Sequence, residues 1–94
     1  MGELRSRVRN VIHRYINDKL TDEEFKEQIK EIIEEYREKL PESLIYQDIG
    51  LVVWEREHKL SSYSKEFKKI WILLEQIEPK IKEKLNQWED IMKK

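Results

Sequence analysis

The chain has 94 residues, no cysteine, and a charged fraction of 41% that nearly cancels to a net charge of −1. Without cysteine there are no disulfides and no thiolate metal sites, and a charge this balanced argues against a general binder of nucleic acid or anionic membrane. No apolar run approaches the roughly 18 residues a membrane span needs, and the start, M-G-E-L-R-S-R-V-R, lacks the apolar core of a signal peptide.

These features lead to the expectation of one domain, residues 1–94, soluble and cytoplasmic. Lys, Glu and Ile are abundant and alanine is absent. That bias resembles the composition of hyperthermophile proteins.

Helical periodicity dominates the chain. Leu4, Val8, Val11, Ile12, Tyr15 and Ile16 recur at steps of three and four, so the first helix is expected from about Glu3 to Asp18. In L-T-D-E-E-F, Thr21 is placed as an N-cap and Glu24 closes a capping box, with Leu20 and Phe25 as a hydrophobic staple. Phe25, Ile29, Ile32, Ile33, Tyr36 and Leu40 give the second helix its inner face, and Pro41 ends it or opens the next.

The third segment, Glu42 to Lys59, contains I-G-L-V-V-W-E-R-E-H-K. L-V-V-W is β-prone, but no second strand exists to pair with it, and a lone strand leaves its backbone unsatisfied. A helix is therefore expected, weakened at Gly50 by about 1 kcal/mol relative to alanine. Ile45, Ile49, Val52, Val53 and Leu60 fall on one side of it, and Leu44, Leu51 and Trp54 on another, with Gln47 and His58 beside them. A helix apolar on two faces needs a second cover. Either the last helix curls back over Leu51 and Trp54 through Leu73 or Ile91, or Leu44, Leu51, Trp54 and His58 meet a partner. The partner is the preferred reading.

S-S-Y-S opens the last segment, with Ser61 or Ser62 as N-cap. Tyr63, Phe67, Ile70, Trp71, Leu74, Ile77, Ile81, Leu85, Trp88 and Met92 form one stripe that keeps its phase across Pro79. The fold expected is all-α, an up-down four-helix bundle with a long last helix bent at Pro79. The alternative is a break at Glu78–Pro79, because the residue before proline disfavours α geometry.

Charge is segregated. Residues 1–20 carry a net of +3 and residues 21–42 a net of −5, which makes the first two helices complementary. Glu24, Glu27, Glu31, Glu34 and Glu38 form a row, and Asp18, Asp22 and Glu23 gather at the preceding junction. Hard cations such as Ca²⁺ take oxygen ligands in flexible geometry. A weak Ca²⁺ site is expected from Asp18, Asp22, Glu23, Glu27, Glu31, Glu34 and Glu38, against the simpler reading of solvated surface and capping. K-L-T-D-E-E-F resembles the helix start of calmodulin-type proteins. The Asp-rich loop with its central Gly is missing downstream, so the resemblance implies a well-capped helix and no EF-hand.

Catalytic signals are sparse. His13 and His58 are the only imidazoles, and neither lies in a metal-ligand spacing. Glu55 and His58 supply one Glu-x-x-His where a di-iron bundle needs two. There is no Gly-rich phosphate loop and no nucleophile elbow.

The expected function is a non-enzymatic structural or interaction module whose acidic surface binds a divalent cation weakly. Two readings compete with it. One is a dimerising or adaptor protein using the Leu44/Leu51/Trp54 face. The other is a nucleic-acid accessory protein using Arg5, Arg9 and Arg14 of the first helix, with Lys65, Lys68 and Lys69 as a second basic cluster.

Overall fold

The computed structural model describes residues 2–92 and is all-helical. Five helices run α1 Gly2–Ile16, α2 Asp22–Arg37, α3 Glu42–Lys59, α4 Ser64–Ile77 and α5 Lys80–Met92. A 3₁₀ turn, Ser61–Tyr63, precedes α4. The serine N-cap expected at Ser61 or Ser62 does not form: the 3₁₀ turn takes its place, and no side chain caps α4.

The turn between α1 and α2 is built from its own backbone. The Lys19 N–H donates to the Arg14 carbonyl at 2.8 Å, and Asp18 takes φ of 62°. That left-handed conformation favours glycine, with Asp and Asn the next best tolerated. The capping box expected at Thr21 is present. The Glu24 N–H donates to Thr21 Oγ1 at 3.1 Å, and the Thr21 N–H donates to Glu24 Oε1 at 2.9 Å.

The long bent helix is not what forms. Glu78 is extended, at φ −158° and ψ 103°, and helix resumes only at Lys80. The cause is steric, since the proline ring pushes the preceding residue out of α geometry. The chain reverses there. Lys82 of α5 lies over the Trp71 ring of α4, 4.3 Å from its centroid. The Glu78 side chain helps to seat the turn, 3.3 Å from the Tyr46 hydroxyl and 3.4 Å from the Lys80 N–H.

Residue correspondences give the topology. Arg7 pairs with Glu35 and Tyr15 with Asp22, so α1 and α2 are antiparallel. Arg5 meets Asp48 near the start of α3, while His13 senses Arg56 near its end, so α1 and α3 are parallel. Tyr46 meets Glu78, Gly50 meets Ile81 and Leu85, and Trp54 meets Trp88, so α5 also runs parallel to α3. The path is therefore up-down-up-down-up, with five helices where four were expected.

α3 is the central helix, packed on α1 to one side and α5 to the other, and it also touches α2 and α4. This accounts for its two apolar faces. Ile45, Ile49 and Val53 are fully buried. Gly50 permits the close approach of α5: a Cβ there would sit 3.3 Å from the Ile81 carbonyl oxygen and 3.4 Å from Leu85 Cβ. Phe25, Phe67, Leu4, Ile12, Ile70 and Leu74 are among the other large side chains that are fully buried. Met92, placed on the inner stripe by its spacing, is instead 65% exposed. Its spacing fits the stripe, but Met92 is the last residue of α5, beyond the Trp88 contact with α3.

Candidate interaction groove

Three helical strips converge at one pole of the bundle. α3 and the turn after it contribute Trp54, Glu57, His58 and Ser61, at steps of three and four. α4 contributes Ser64, Lys68, Trp71 and Ile72, and α5 contributes Lys82, Leu85 and Glu89. Between them lies an open groove of about 800 Å³. Its wall is largely carbon, which suits recognition of an apolar group with a few polar contacts at the edge.

The aromatic side chains there are held in place. Trp54 and Trp88 meet edge to face with ring centroids 5.0 Å apart, and His58 lies against Trp54 at 4.2 Å. His58 Nδ1 lies 2.8 Å from the Trp54 carbonyl oxygen, within hydrogen-bonding distance. The Trp71 Nε1–H donates to Glu57 Oε1 at 3.0 Å. Lys82 covers the other side of that indole. Ile72, next to Trp71, is 55% exposed.

The four residues expected to form a partner face are thus divided. Trp54 and His58 line the groove. Leu51 is half-buried, and Leu44, 44% exposed, sits in the first turn of α3, far from the groove. Part of the second face of α3 is covered by α5, through Gly50 and Trp54. The contact to Trp54 is Trp88, where Leu73 or Ile91 had been expected; Leu73 is buried in the core and Ile91 is exposed. Trp71, Ile72, Lys82, Leu85 and Glu89 carry no expectation as site residues, and Lys68, expected in a basic cluster with Lys65 and Lys69, lines the groove instead. The available signal was the run I-W-I-L-L, which makes α4 apolar beyond its core stripe.

The acidic residues are dispersed. Asp22 Oδ1 accepts a hydrogen bond from the Tyr15 hydroxyl at 2.6 Å, and Asp22 Oδ2 lies 3.3 Å from Lys69. That Tyr15 hydrogen bond, then Lys69, hold the Asp22 carboxyl below its usual range. Burial, then Asp22, push the Tyr15 hydroxyl up. Glu23 pairs with Lys26 at 3.2 Å and Glu34 with Arg37 at 2.8 Å. Glu27 and Glu31 face Arg7 and Arg14 across a second, polar groove of about 550 Å³ between α1 and α2. Asp18 and Glu38 are exposed. Among the described residues, no three Asp, Glu or His side chains gather so as to hold a metal ion.

The arginines of α1 are largely turned to their own fold. Arg5 pairs with the buried Asp48 at 3.2 Å, and Arg7 pairs with Glu35. Arg9 and His13 lie in the seam with α3, where Arg56 Nη2 donates to Glu55 Oε1 at 3.0 Å. Nitrogens of Arg9, His13 and Arg56 are shielded there without a hydrogen-bond partner. Burial first, then Arg56 and Arg9, lower the pKa of His13, and the hydrogen bond from Arg56 holds Glu55 low.

The fold and groove define a small all-helical bundle with a largely apolar groove between α3, α4 and α5. No helix is long and apolar enough to cross a membrane among the described residues. No family model matches the chain, and neither does any curated protein or any solved structure.

Proposed function

We propose that the protein is a non-enzymatic interaction module whose contact surface is the groove between α3, α4 and α5. The observation that carries this reading is the groove itself, with Trp54 and Trp71 in its walls and the exposed Ile72 at its side. Exposed apolar area on a small protein is a common mark of a contact surface, and tryptophan is enriched at the centres of such contacts. The walls are pre-formed: the indoles are fixed by Glu57, Lys82 and Trp88 before anything binds. Pre-organisation lowers the entropy cost of association. The ion pairs that engage Arg5, Arg7, Asp22, Glu23 and Glu34 favour this reading over nucleic-acid or cation binding.

The test is site-specific crosslinking. A photo-crosslinking benzoylphenylalanine in place of Ile72 is expected to give a covalent protein adduct in the native cell. The same group in place of the exposed Lys30 on α2 is expected to give none. Equal adducts at both positions, or none at either, would rule the groove out as the contact surface.

A further inference from the structure

We infer that the occupant of this groove is a second copy of the same chain, seated about a two-fold axis. The inference rests on the reading of the groove as a contact surface and names its partner.

Its charge pattern carries the argument. The groove walls hold two cations, Lys68 and Lys82, and two anions, Glu57 and Glu89. Lys82 lies on the Trp71 ring and Glu57 accepts from the Trp71 indole, so both are engaged within the chain. Lys68 on α4 and Glu89 on α5 remain, and neither makes an ion pair among the described residues. A basic partner would meet Lys68 and an acidic one Glu89, each a like charge. A second copy turned by a two-fold can answer both charges at once: where Lys68 of one chain meets Glu89 of the other, the reciprocal pair forms as well, because every contact across a two-fold is made twice.

The apolar surface points the same way. Four large hydrophobic side chains are exposed among the described residues: Leu44, Ile72, Ile91 and Met92. Ile72 lines the groove, and Ile91 and Met92 follow Glu89 by less than one turn at the end of α5. Ile72 follows Lys68 by one turn of α4, so a two-fold that joins Lys68 to Glu89 brings the exposed end of α5 of each copy within reach of Ile72 of its mate. A net charge of −1 offers little long-range repulsion between copies. An ordinary interface of about 800 Å² per partner is a modest share of a 6100 Å² surface.

Sedimentation velocity from micromolar to millimolar protein tests this. The chain is expected to pass from monomer to dimer. Lys68→Glu alone and Glu89→Lys alone should each weaken the dimer by about tenfold or more, since each sets like charges together across the two-fold. Mixing the two single variants should restore dimer, because one is doubly acidic at this contact and the other doubly basic. A monomer at every concentration overturns the second copy, and so does a mixture no better than its components. The crosslink at position 72 separates the two failures. An adduct with a different protein overturns the second copy and leaves the groove reading standing. With no adduct and no dimer, both fall.

Discussion

His13 is half-buried on α1, with Arg9 on its own helix and Arg56, itself hydrogen-bonded to Glu55, facing it from α3. Burial and the two guanidinium groups lower its pKa below the ordinary 6.5. The imidazole is therefore neutral in the folded protein under conditions where an unfolded chain already binds the proton. The sign follows from linkage. Its contribution to stability is complete above pH 6.5 and is lost as the pH falls from 6.5 through the lower folded value. Urea melts of wild type at pH 7.5 and about 5.5 should show a loss at the lower pH. His13→Gln, which carries no proton there, should lose less. An equal loss in both proteins would place the pH dependence on other groups. No spacing rule singles out this trio. It arises because α1 and α3 run parallel and bring position 13 level with position 56, which no single-helix pattern contains.

Pro79 shows what an apolar stripe can and cannot specify. The stripe keeps its phase on either side of the proline, and a continuous helix and a tight hairpin both use that phase. In the hairpin, α5 turns its stripe, Ile81 and Leu85, onto the Gly50 face of α3. The deciding fact is local, the extended Glu78 ahead of the ring. The expected effect of substitution changes sign accordingly. In a continuous helix Pro79→Ala would restore a hydrogen bond and stabilise. In the observed turn it only frees the unfolded chain, and should cost about 0.4–1 kcal/mol, read from the midpoint of a urea melt with an unchanged slope. Where elements are marked by chemistry of their own, the sequence was easier to read. Thr21 and Glu24 placed the start of α2, and Pro41 the start of α3, because each acts on adjacent backbone. The groove was only half legible. Trp54 and His58 stood out on a two-faced helix, while Lys68, Trp71 and Glu89 became neighbours through the reversal at Glu78.

At the scale of the molecule, α3 is the axis around which the other four helices are arranged. Val52, 4% exposed on this helix, is surrounded by core. Val52→Asp would bury an unpaired charge, costing several kcal/mol, against a total stability of about 5–15 kcal/mol for a small domain. Its far-ultraviolet dichroism melt should show little or no cooperative transition at room temperature. A melt close to wild type would mean that α3 is not the centre of the bundle. A chain this rich in charge has little apolar material, and a central helix that packs on four neighbours uses it efficiently. The arrangement also sorts the aromatic residues. All three tryptophans, Trp54, Trp71 and Trp88, lie at or beside the groove, whereas α1 and α2 hold only Tyr15, Tyr36 and Phe25. Indole emission from the unlabelled protein is therefore a built-in optical probe of one pole, blind to the α1–α2 hairpin, and any occupant that displaces water from the groove reports itself as a change of colour.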